Sequence, residues 1–274
     1  MPELPEVETV KNGLIKKVKG RKILKANVLW DGIIAYPDKE SFIKEIANQR
    51  INDITRKGKY LIFILDDYYL TSHLRMEGKY FIKEPDIPLS KHDHVIFSLD
   101  NGLELRYNDT RKFGKMHLVK KDELYNSPVS KLGMEPWDNN LTADYLKDKL
   151  NKKKAIKTLL LDQSIITGIG NIYADEILFL SRINPETYGC NLNSKNLTAI
   201  INNTRSILSK AIELGGTTIH TYTAVDGITG RFQQELLVHG KKDCECPNCK
   251  TKIEKIVVNT RGTYYCPKCQ KKHQ

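Results

Sequence analysis

Two closely spaced pairs of cysteines near the C-terminal end restrict the possible folds of this chain more than any other feature. Sixteen residues separate the first pair, Cys246 and Cys249, from the second, Cys266 and Cys269. Two C-x₂-C pairs at this spacing let four thiolates converge as a tetrahedron, the geometry that structural Zn²⁺ prefers. A redox-active pair is disfavoured, because there are two pairs and no βαβ pattern around them. We therefore predict one structural Zn²⁺, with no coordination position left for a substrate.

The segment between the cysteine pairs has the pattern of a β-hairpin. Residues 253–258 and 263–265 are rich in β-branched and aromatic side chains, and residues 259–262 form the predicted turn. The cysteines and the hairpin together predict a zinc ribbon. Arg261 then lies at the hairpin tip, where its cation can reach a phosphate. Taken alone, however, a solvated turn arginine is the favoured interpretation.

The charge of the chain favours a polyanionic partner. Lys and Arg number 44 against 33 Asp and Glu, a formal net charge of +11. Such an excess attracts nucleic acid, because each neutralised phosphate releases condensed counterions. A solvated lysine-rich surface is an equally good interpretation of charge alone, and an anionic membrane is a weaker one. We expect a cytoplasmic protein, because the start of the chain lacks the basic and apolar regions of a secretory signal and no transmembrane stretch follows.

The hydrophobic pattern changes character along the chain. Residues 5–18 have the periodicity of a helix, and short β-rich runs follow. Tight turns predicted at 66–67 and 100–102 indicate that the strands they join are antiparallel. From residue 141 to about 214 the periodicity is helical, and the Gly/Thr-rich stretch 215–230 is predicted as a long ordered loop. The predicted strands are 23–30, 60–65, 69–74, 95–99, 103–107 and 115–119.

A helix–turn–helix-like element is predicted to begin at three consecutive lysines. One helix begins around residues 152–154, a glycine-containing turn covers 167–170, and Asn171 is expected to cap a second helix. Backbone N–H groups and the helix dipole make such a start a ready phosphate site. A plain glycine-rich connection between packed helices remains the alternative.

Several segments together resemble one family, the formamidopyrimidine-DNA glycosylases, and the match runs nearly end to end. The resemblance implies an α+β fold, with an N-terminal two-layer antiparallel β-sandwich and flanking helices, then a helix–two-turn–helix domain and a zinc-ribbon finger. We predict a catalytic sandwich at 1–133, a linker at 134–150, the helical DNA-binding domain with a lesion loop at 151–240, and the finger at 241–274. Besides the ribbon, the segments that carry the resemblance are PELPEV (2–7), KGKYL (57–61), KHDH (91–94), DTRKFG (109–114) and GIGNIY (168–173).

The resemblance also implies an activity on duplex DNA: excision of oxidised purines such as 8-oxoguanine and formamidopyrimidines, then cleavage of the abasic site by β,δ-elimination. The expected nucleophile is Pro2, which is freed by removal of Met1. An α-amine with a pKa near ~7.7–8.0 is substantially neutral at pH 7, whereas a lysine near ~10.4 is not. The neutral amine can attack C1′ and form a Schiff base.

Further catalytic residues follow from the same resemblance. Glu3 is the expected general acid/base, Lys59 the proton donor for β-elimination, and Arg261 the residue for δ-elimination. Glu6 either shapes the site or favours the helix dipole, and the structural role is preferred.

Excising a base from a duplex requires that it be flipped out and the gap filled. Met76, Arg111 and Phe113 resemble the family's void-filling residues, although sequence alone favours a core position for Met76 and Phe113. The phosphate contacts carried over are His92, Arg111, Lys153, Asn171 and Arg261; for His92 alone, an ordinary surface histidine is the default. The lesion loop is expected to use Thr217, Ile219, His220, Thr221 and Tyr222.

Two departures from the family pattern and two rival functions remain. His220 stands where many relatives carry Lys or Arg, and Met134 where proline is usual. The closest rival function is that of endonuclease VIII-like glycosylases, which act on oxidised pyrimidines; Leu4 and the pair Arg111 and Phe113 favour the purine enzyme. The other rival is a non-catalytic zinc-ribbon DNA-binding protein. We expect a monomer that associates with the bacterial nucleoid through DNA and not with membranes.

Overall fold

A computed structural model describes residues 1–217 and 230–272. The chain divides into two compact units. The N-terminal unit comprises Met1–Lys131 and Gly215–Arg231, and the C-terminal unit comprises Leu132–Leu214 and Phe232–Gln274. Within the described residues, no helix is both long and apolar enough to cross a membrane.

The N-terminal unit is built on two β-sheets. One sheet has the strand order β1-β7-β8-β6 and the other β2-β9-β5-β4-β3. All strand pairs are antiparallel except β2 and β9, which run parallel, so the predicted antiparallel sandwich is confirmed with one exception. The elements are α1 (Leu4–Val18), β1 (Ile23–Val28), β2 (Ile34–Tyr36), α2 (Lys39–Ile46), β3 (Asp53–Lys57), β4 (Tyr60–Ile64), β5 (Tyr68–His73), β6 (Lys79–Lys83), β7 (Asp93–Leu99), β8 (Glu104–Asn108) and β9 (Lys115–Lys120).

One apolar core joins the two sheets and the first helix. Helix α1 buries Val7, Val10 and Leu14, which recur at the three- and four-residue spacing of one helix face. Phe63 of β4 in one sheet packs against Tyr80 of β6 in the other, with 5.7 Å between ring centroids. The position of α1 on this core fixes where its N-terminal residues lie.

Four elements of this unit, α2, β2, β3 and β6, carry too weak a pattern for prediction. Strand β3 has a single buried apolar residue, Ile54, between polar neighbours, and β6 begins and ends with lysine. Helix α2 is only eight residues long and buries two side chains, Phe42 and Ile46. Tertiary packing, not local periodicity, determines these elements.

The C-terminal unit contains four α-helices and a β-hairpin among its described residues. They are α3 (Ala143–Leu150), α4 (Ile156–Leu160), α5 (Asn171–Leu180), α6 (Ser194–Glu213), β10 (Glu254–Val258) and β11 (Arg261–Tyr265). Helix α3 falls inside the span 134–150 that was predicted as a linker, and α4 begins after the three lysines rather than at them. Tyr173 and Ile177 of α5 are buried, whereas Leu180 is 39% exposed.

Candidate active site and nucleic-acid interface

The N-terminus of α1 holds the predicted nucleophile and general acid/base. Pro2 and Glu3 are both buried, and Glu3 is the residue that precedes the helix. The backbone N–H of Glu3 donates to Glu6 Oε2 over 2.8 Å. Because this N–H would otherwise lack a helical partner, the bond fixes the backbone on which Glu3 and Pro2 stand.

Glu6 also holds the residue that leads into the predicted lesion loop. Its Oε1 accepts from the backbone N–H of Thr217 over 2.7 Å and from the Thr217 hydroxyl over 3.0 Å. Gly216 has φ +79°, and a Cβ there would lie 2.7 Å from Glu6 Oε1, so the approach of the two segments requires glycine. Glu6 therefore ties the backbone of Glu3 to the start of the loop.

Lys59 lies in a two-residue turn between β3 and β4 and is 5% exposed. Gly58 takes φ +56° in this turn, and its carbonyl accepts from Arg56 Nη1 over 3.0 Å. The same guanidinium donates through Nε to Glu8 Oε2 of α1 over 2.8 Å. Burial opposes ionisation of Glu8, but hydrogen bonds from Lys11 and Arg56 lower its pKa. A carboxylate on α1 thus anchors the turn that carries Lys59.

A buried histidine lies close to Lys59. Burial first, then the charges of Arg75 and Lys59, lower the pKa of His73 to about 3, so its ring is neutral at physiological pH. Its Nδ1 accepts the backbone N–H of Arg75 over 2.9 Å, and its ring meets Tyr60 edge-on at 4.5 Å. Arg75 has φ +52°, so this bond stabilises a left-handed residue immediately before Met76.

The predicted void-filling residues are exposed rather than part of the core. Met76 is 36% and Phe113 50% exposed, which excludes the core position that sequence alone favours. The Arg111 guanidinium lies over the Phe113 ring, 4.7 Å from its centroid. Exposed apolar side chains beside a stacked arginine suit insertion into a base stack.

Asp109 and Tyr107 support these side chains, and sequence reasoning gave neither a role. The fully buried Asp109 carboxylate accepts from three backbone N–H groups, those of Arg111, Phe113 and Gly114, over 2.8–2.9 Å. A Cβ on Gly114 would lie 1.7 Å from the Tyr107 hydroxyl, and one on Gly78 would lie 2.3 Å from it. The loops that carry Met76 and Phe113 therefore rest on the same tyrosine. Gly114, the last residue of the DTRKFG segment, is the sequence signal that points to this packing.

His92 is half-buried, and its backbone N–H donates to Ser90 Oγ. Its backbone carbonyl accepts from Asp109 N over 3.0 Å, which links this loop to the one that carries Arg111. Of the predicted lesion loop, Thr217 is described above, whereas Ile219, His220, Thr221 and Tyr222 lie outside the described residues.

In the C-terminal unit, the four predicted zinc ligands converge. The Sγ atoms of Cys246, Cys249, Cys266 and Cys269 all lie within 4.8 Å of one another. Hydrogen bonds from Thr251 lower the pKa of Cys249 to about 6, whereas burial raises the pKa of Cys266 and raises that of Cys269 to about 12. A bound Zn²⁺ would favour the thiolate form of all four. Four thiolates at this separation fit one tetrahedral Zn²⁺, and the site is structural.

The hairpin tip differs in detail from the predicted four-residue turn. Val258 pairs with Arg261, so the turn consists of Asn259 and Thr260 alone, with φ +45° and +67°. Arg261 is exposed as the first residue of β11. It lines a cleft of about 330 Å³ together with Lys154, Thr158 and the two turn residues.

Asn171 is the first residue of α5 and not its cap, which is Gly170. Its side chain instead donates through Nδ2 to the Gly262 carbonyl over 3.0 Å, which joins the start of α5 to the hairpin. Lys153 is exposed in the segment that precedes α4. Asn171 and Arg261, two of the predicted phosphate-binding residues, thus lie where the start of α5 meets the hairpin.

Comparison with known proteins assigns a class and then a family. Residues 1–116 match the formamidopyrimidine-DNA glycosylase N-terminal domain, residues 132–223 match the H2TH (helix–two-turn–helix) domain, and residues 245–272 match the zinc finger found in FPG and IleRS. These domains define a zinc-finger DNA glycosylase. Formamidopyrimidine-DNA glycosylase of Bacillus licheniformis is 48% identical over 275 residues, which cover 99% of this chain and 100% of that relative.

Solved structures agree with this assignment. A complex between the Lactococcus lactis Fpg and abasic-site DNA has a TM-score of 0.92 at 41% identity and covers 98% of this chain and 100% of that one. A complex of the same wild-type enzyme with DNA that contains an oxidised pyrimidine has a TM-score of 0.91 at 40% identity, with 99% and 100% coverage. The chain belongs to the formamidopyrimidine-DNA glycosylase family and is a base-excision repair enzyme, a DNA glycosylase with abasic-site lyase activity.

Proposed function

We propose that this enzyme flips oxidised purines out of duplex DNA, excises them through a Schiff base on Pro2, and nicks the abasic site by β,δ-elimination. The observation that carries the proposal is the arrangement at the start of α1. Glu6 holds the Glu3 backbone and Thr217 together, so the residue next to the nucleophile and the entry to the lesion loop share one anchor.

The covalent steps need an amine nucleophile and movable protons. Once Met1 is removed, the lone pair of the Pro2 nitrogen attacks C1′ and the damaged base departs with the glycosidic electrons. Opening of the sugar ring at O4′ completes an iminium. Glu3 transfers the protons of these steps, which are worth roughly 10²–10⁴-fold in rate.

The iminium acidifies the C2′ proton, and loss of that proton expels the 3′-phosphate. We assign the proton donation of this β-elimination to Lys59. The second elimination expels the 5′-phosphate, and we assign it to Arg261, whose guanidinium suits a developing phosphate charge.

The same proposal assigns the DNA contacts. Met76 and Phe113 fill the space left by the flipped nucleotide, and Arg111 faces the orphaned cytosine. Phosphates are bound by Arg111 and by a second group of residues that position the duplex without reading sequence. That group is His92, Lys153, Asn171 and Arg261. The extruded base is surrounded by the lesion loop, through Thr217, Ile219, His220, Thr221 and Tyr222.

We further propose that the chain acts as a monomer in the bacterial cytoplasm, bound to the nucleoid through DNA. The functional division follows residues 1–133 for catalysis, 134–150 as a connection, 151–240 for duplex and lesion binding, and 241–274 for the finger. The net charge of +11 supports a DNA-bound protein.

The second candidate function is excision of oxidised pyrimidines. The structure of the L. lactis relative in complex with DNA that contains an oxidised pyrimidine supports it. Single-turnover excision of 8-oxoguanine opposite cytosine and of thymine glycol opposite adenine distinguishes the two. The proposal expects faster excision of the purine. Faster excision of thymine glycol would replace it with the pyrimidine function, and no excision of either would favour the non-catalytic alternative.

A further inference from the structure

Three consecutive residues that follow Arg261 in β11 are held by polar side chains from α4 and α5. Lys157 Nζ donates to the Gly262 carbonyl over 3.1 Å and to Thr263 Oγ1 over 2.8 Å. Asp175 Oδ2 accepts the backbone N–H of Tyr264 over 3.2 Å. The helices therefore bind the hairpin through two backbone groups and the Thr263 hydroxyl, next to the predicted δ-elimination residue.

The groups that make these contacts are fully buried. Lys157 and Asp175 have 0% side-chain exposure and form an ion pair of 2.7 Å. Asp175 also accepts from His239 Nδ1 over 2.7 Å, so each carboxylate oxygen has partners. A buried pair is costly to desolvate, and an apolar contact would hold the hairpin at least as firmly. The pair instead specifies the position of the hairpin, because its hydrogen bonds fit only one register of β11.

A continuous chain of hydrogen bonds leads from this pair to Arg261. The Thr263 hydroxyl accepts from Lys157 Nζ and donates to the carbonyl oxygen of Arg261 over 2.9 Å. Thr263 is fully buried, so solvent cannot substitute for either bond. The peptide of Arg261 is thus fixed from inside the protein, while its side chain faces outward.

This attachment is distinct from the one at the zinc end of the hairpin. There, Gln270 Oε1 accepts the backbone N–H of Cys266, and Gln270 Nε2 donates to the Ile183 carbonyl. Zinc orders the cysteine end of β11, whereas the ion pair orders the end at Arg261.

We propose that Lys157, Asp175 and Thr263 are positioning residues that hold Arg261 in register for δ-elimination, independently of zinc binding. The proposal rests on the function assigned to Arg261 above. It concerns the partition between the two eliminations, and the zinc content of each variant separates a local effect on Arg261 from unfolding of the ribbon.

The test uses the full zinc-loaded chain and a duplex with one abasic site. Thr263→Val keeps the shape of the side chain but removes both hydrogen bonds, and Thr263→Ser restores them. We expect Thr263→Val to lower the ratio of δ- to β-elimination product about fivefold, the effect of about one hydrogen bond. Thr263→Ser should stay near the wild-type ratio, and bound zinc should remain one per chain in both. Thr198→Val, an exposed change on α6, is the matched control, and Arg261→Ala gives the full loss.

Two results would overturn the proposal: a wild-type product ratio in Thr263→Val while Arg261→Ala lowers it, or an equal fall in both Thr263 variants accompanied by loss of zinc. If Arg261→Ala leaves the ratio unchanged, the function assigned to Arg261 is wrong instead. Hydrogen exchange at residues 259–262 then decides the positioning claim. It should be about fivefold faster in Thr263→Val than in Thr263→Ser, and equal exchange would contradict the claim.

Discussion

The N-terminal sandwich and the C-terminal ribbon are both β-structures, yet they are stabilised in different ways. The sandwich surrounds a cluster of 25 buried hydrophobic residues, contributed by both sheets, α1 and α2. The cluster at the ribbon contains five, Phe179, Val238, Cys246, Ile253 and Cys266, and two of these are zinc ligands. The ribbon therefore depends on metal and on buried polar bonds where the sandwich depends on apolar burial.

This difference matches the two kinds of residue that the regions present. In the sandwich, the proposed catalytic residues Pro2, Glu3 and Lys59 are buried and fixed, as a large core allows. In the ribbon, the proposed δ-elimination residue Arg261 is exposed, and a two-stranded hairpin cannot order it unaided. Zinc and the Lys157–Asp175 pair supply that order from the two ends of β11.

Removal of zinc should have the largest effect of the tests below, and this effect should be confined to the ribbon. Structural zinc sites contribute apparent binding free energies of about 10–16 kcal/mol to folding at pH 7, so chelation should unfold the ribbon and lower the affinity for abasic-site DNA at least about 100-fold. The unfolding transition of the sandwich, followed by Trp30 fluorescence in a Trp137→Phe background, should not move.

The matched cysteine variants are Cys266→Ser, which should reproduce the effect of chelation, and Cys190→Ser, which removes an exposed free thiol and should not. Normal DNA binding by the zinc-free chain would show that the ribbon is not part of the DNA surface.

Truncation of a core side chain should destabilise the sandwich and leave the ribbon unchanged. Phe97 is 1% exposed and packs against Phe42, so Phe97→Ala should lower the free energy of unfolding of the sandwich by about 3–5 kcal/mol. Leu24→Ala, at a side chain that is 48% exposed, should cost less than about 1 kcal/mol. Denaturant unfolding measures both, with the zinc content unchanged. Similar costs at the two positions would contradict the assigned core.

Acidification should weaken the sandwich through His73 by a smaller amount. The pKa of His73 is lowered to about 3 in the folded chain, whereas the unfolded chain titrates near ~6.5. Between these values the unfolded state binds more protons, so stability falls as the pH falls. Relative to His73→Gln, the wild type should lose about 2 kcal/mol between pH 7 and pH 5. Parallel pH profiles of the two proteins would show that His73 is not held neutral.

The sequence predicted the parts of the fold that repeat a strong local signal. The C-x₂-C pairs gave the zinc site, and the buried periodicity of Val7, Val10 and Leu14 gave α1. Strands β3 and β6 were missed, because their pairing depends on neighbours that are distant in sequence. The exposure of Met76 and Phe113 could not be derived either, since it results from loops folded over Tyr107 and Asp109. The shared anchor at Glu6 joins residues 211 apart, a separation that no local pattern reports.

The most direct test of the account is borohydride trapping on a duplex with 8-oxoguanine, followed by identification of the attached peptide. The wild-type chain with Met1 removed should give one covalent adduct, attached through the nitrogen of Pro2. A form that retains residues in front of Pro2 should give none, because the Pro2 nitrogen is then an amide and not an amine. An adduct that persists in the blocked form, or one attached through Lys59, would contradict the assignment of Pro2 as the nucleophile.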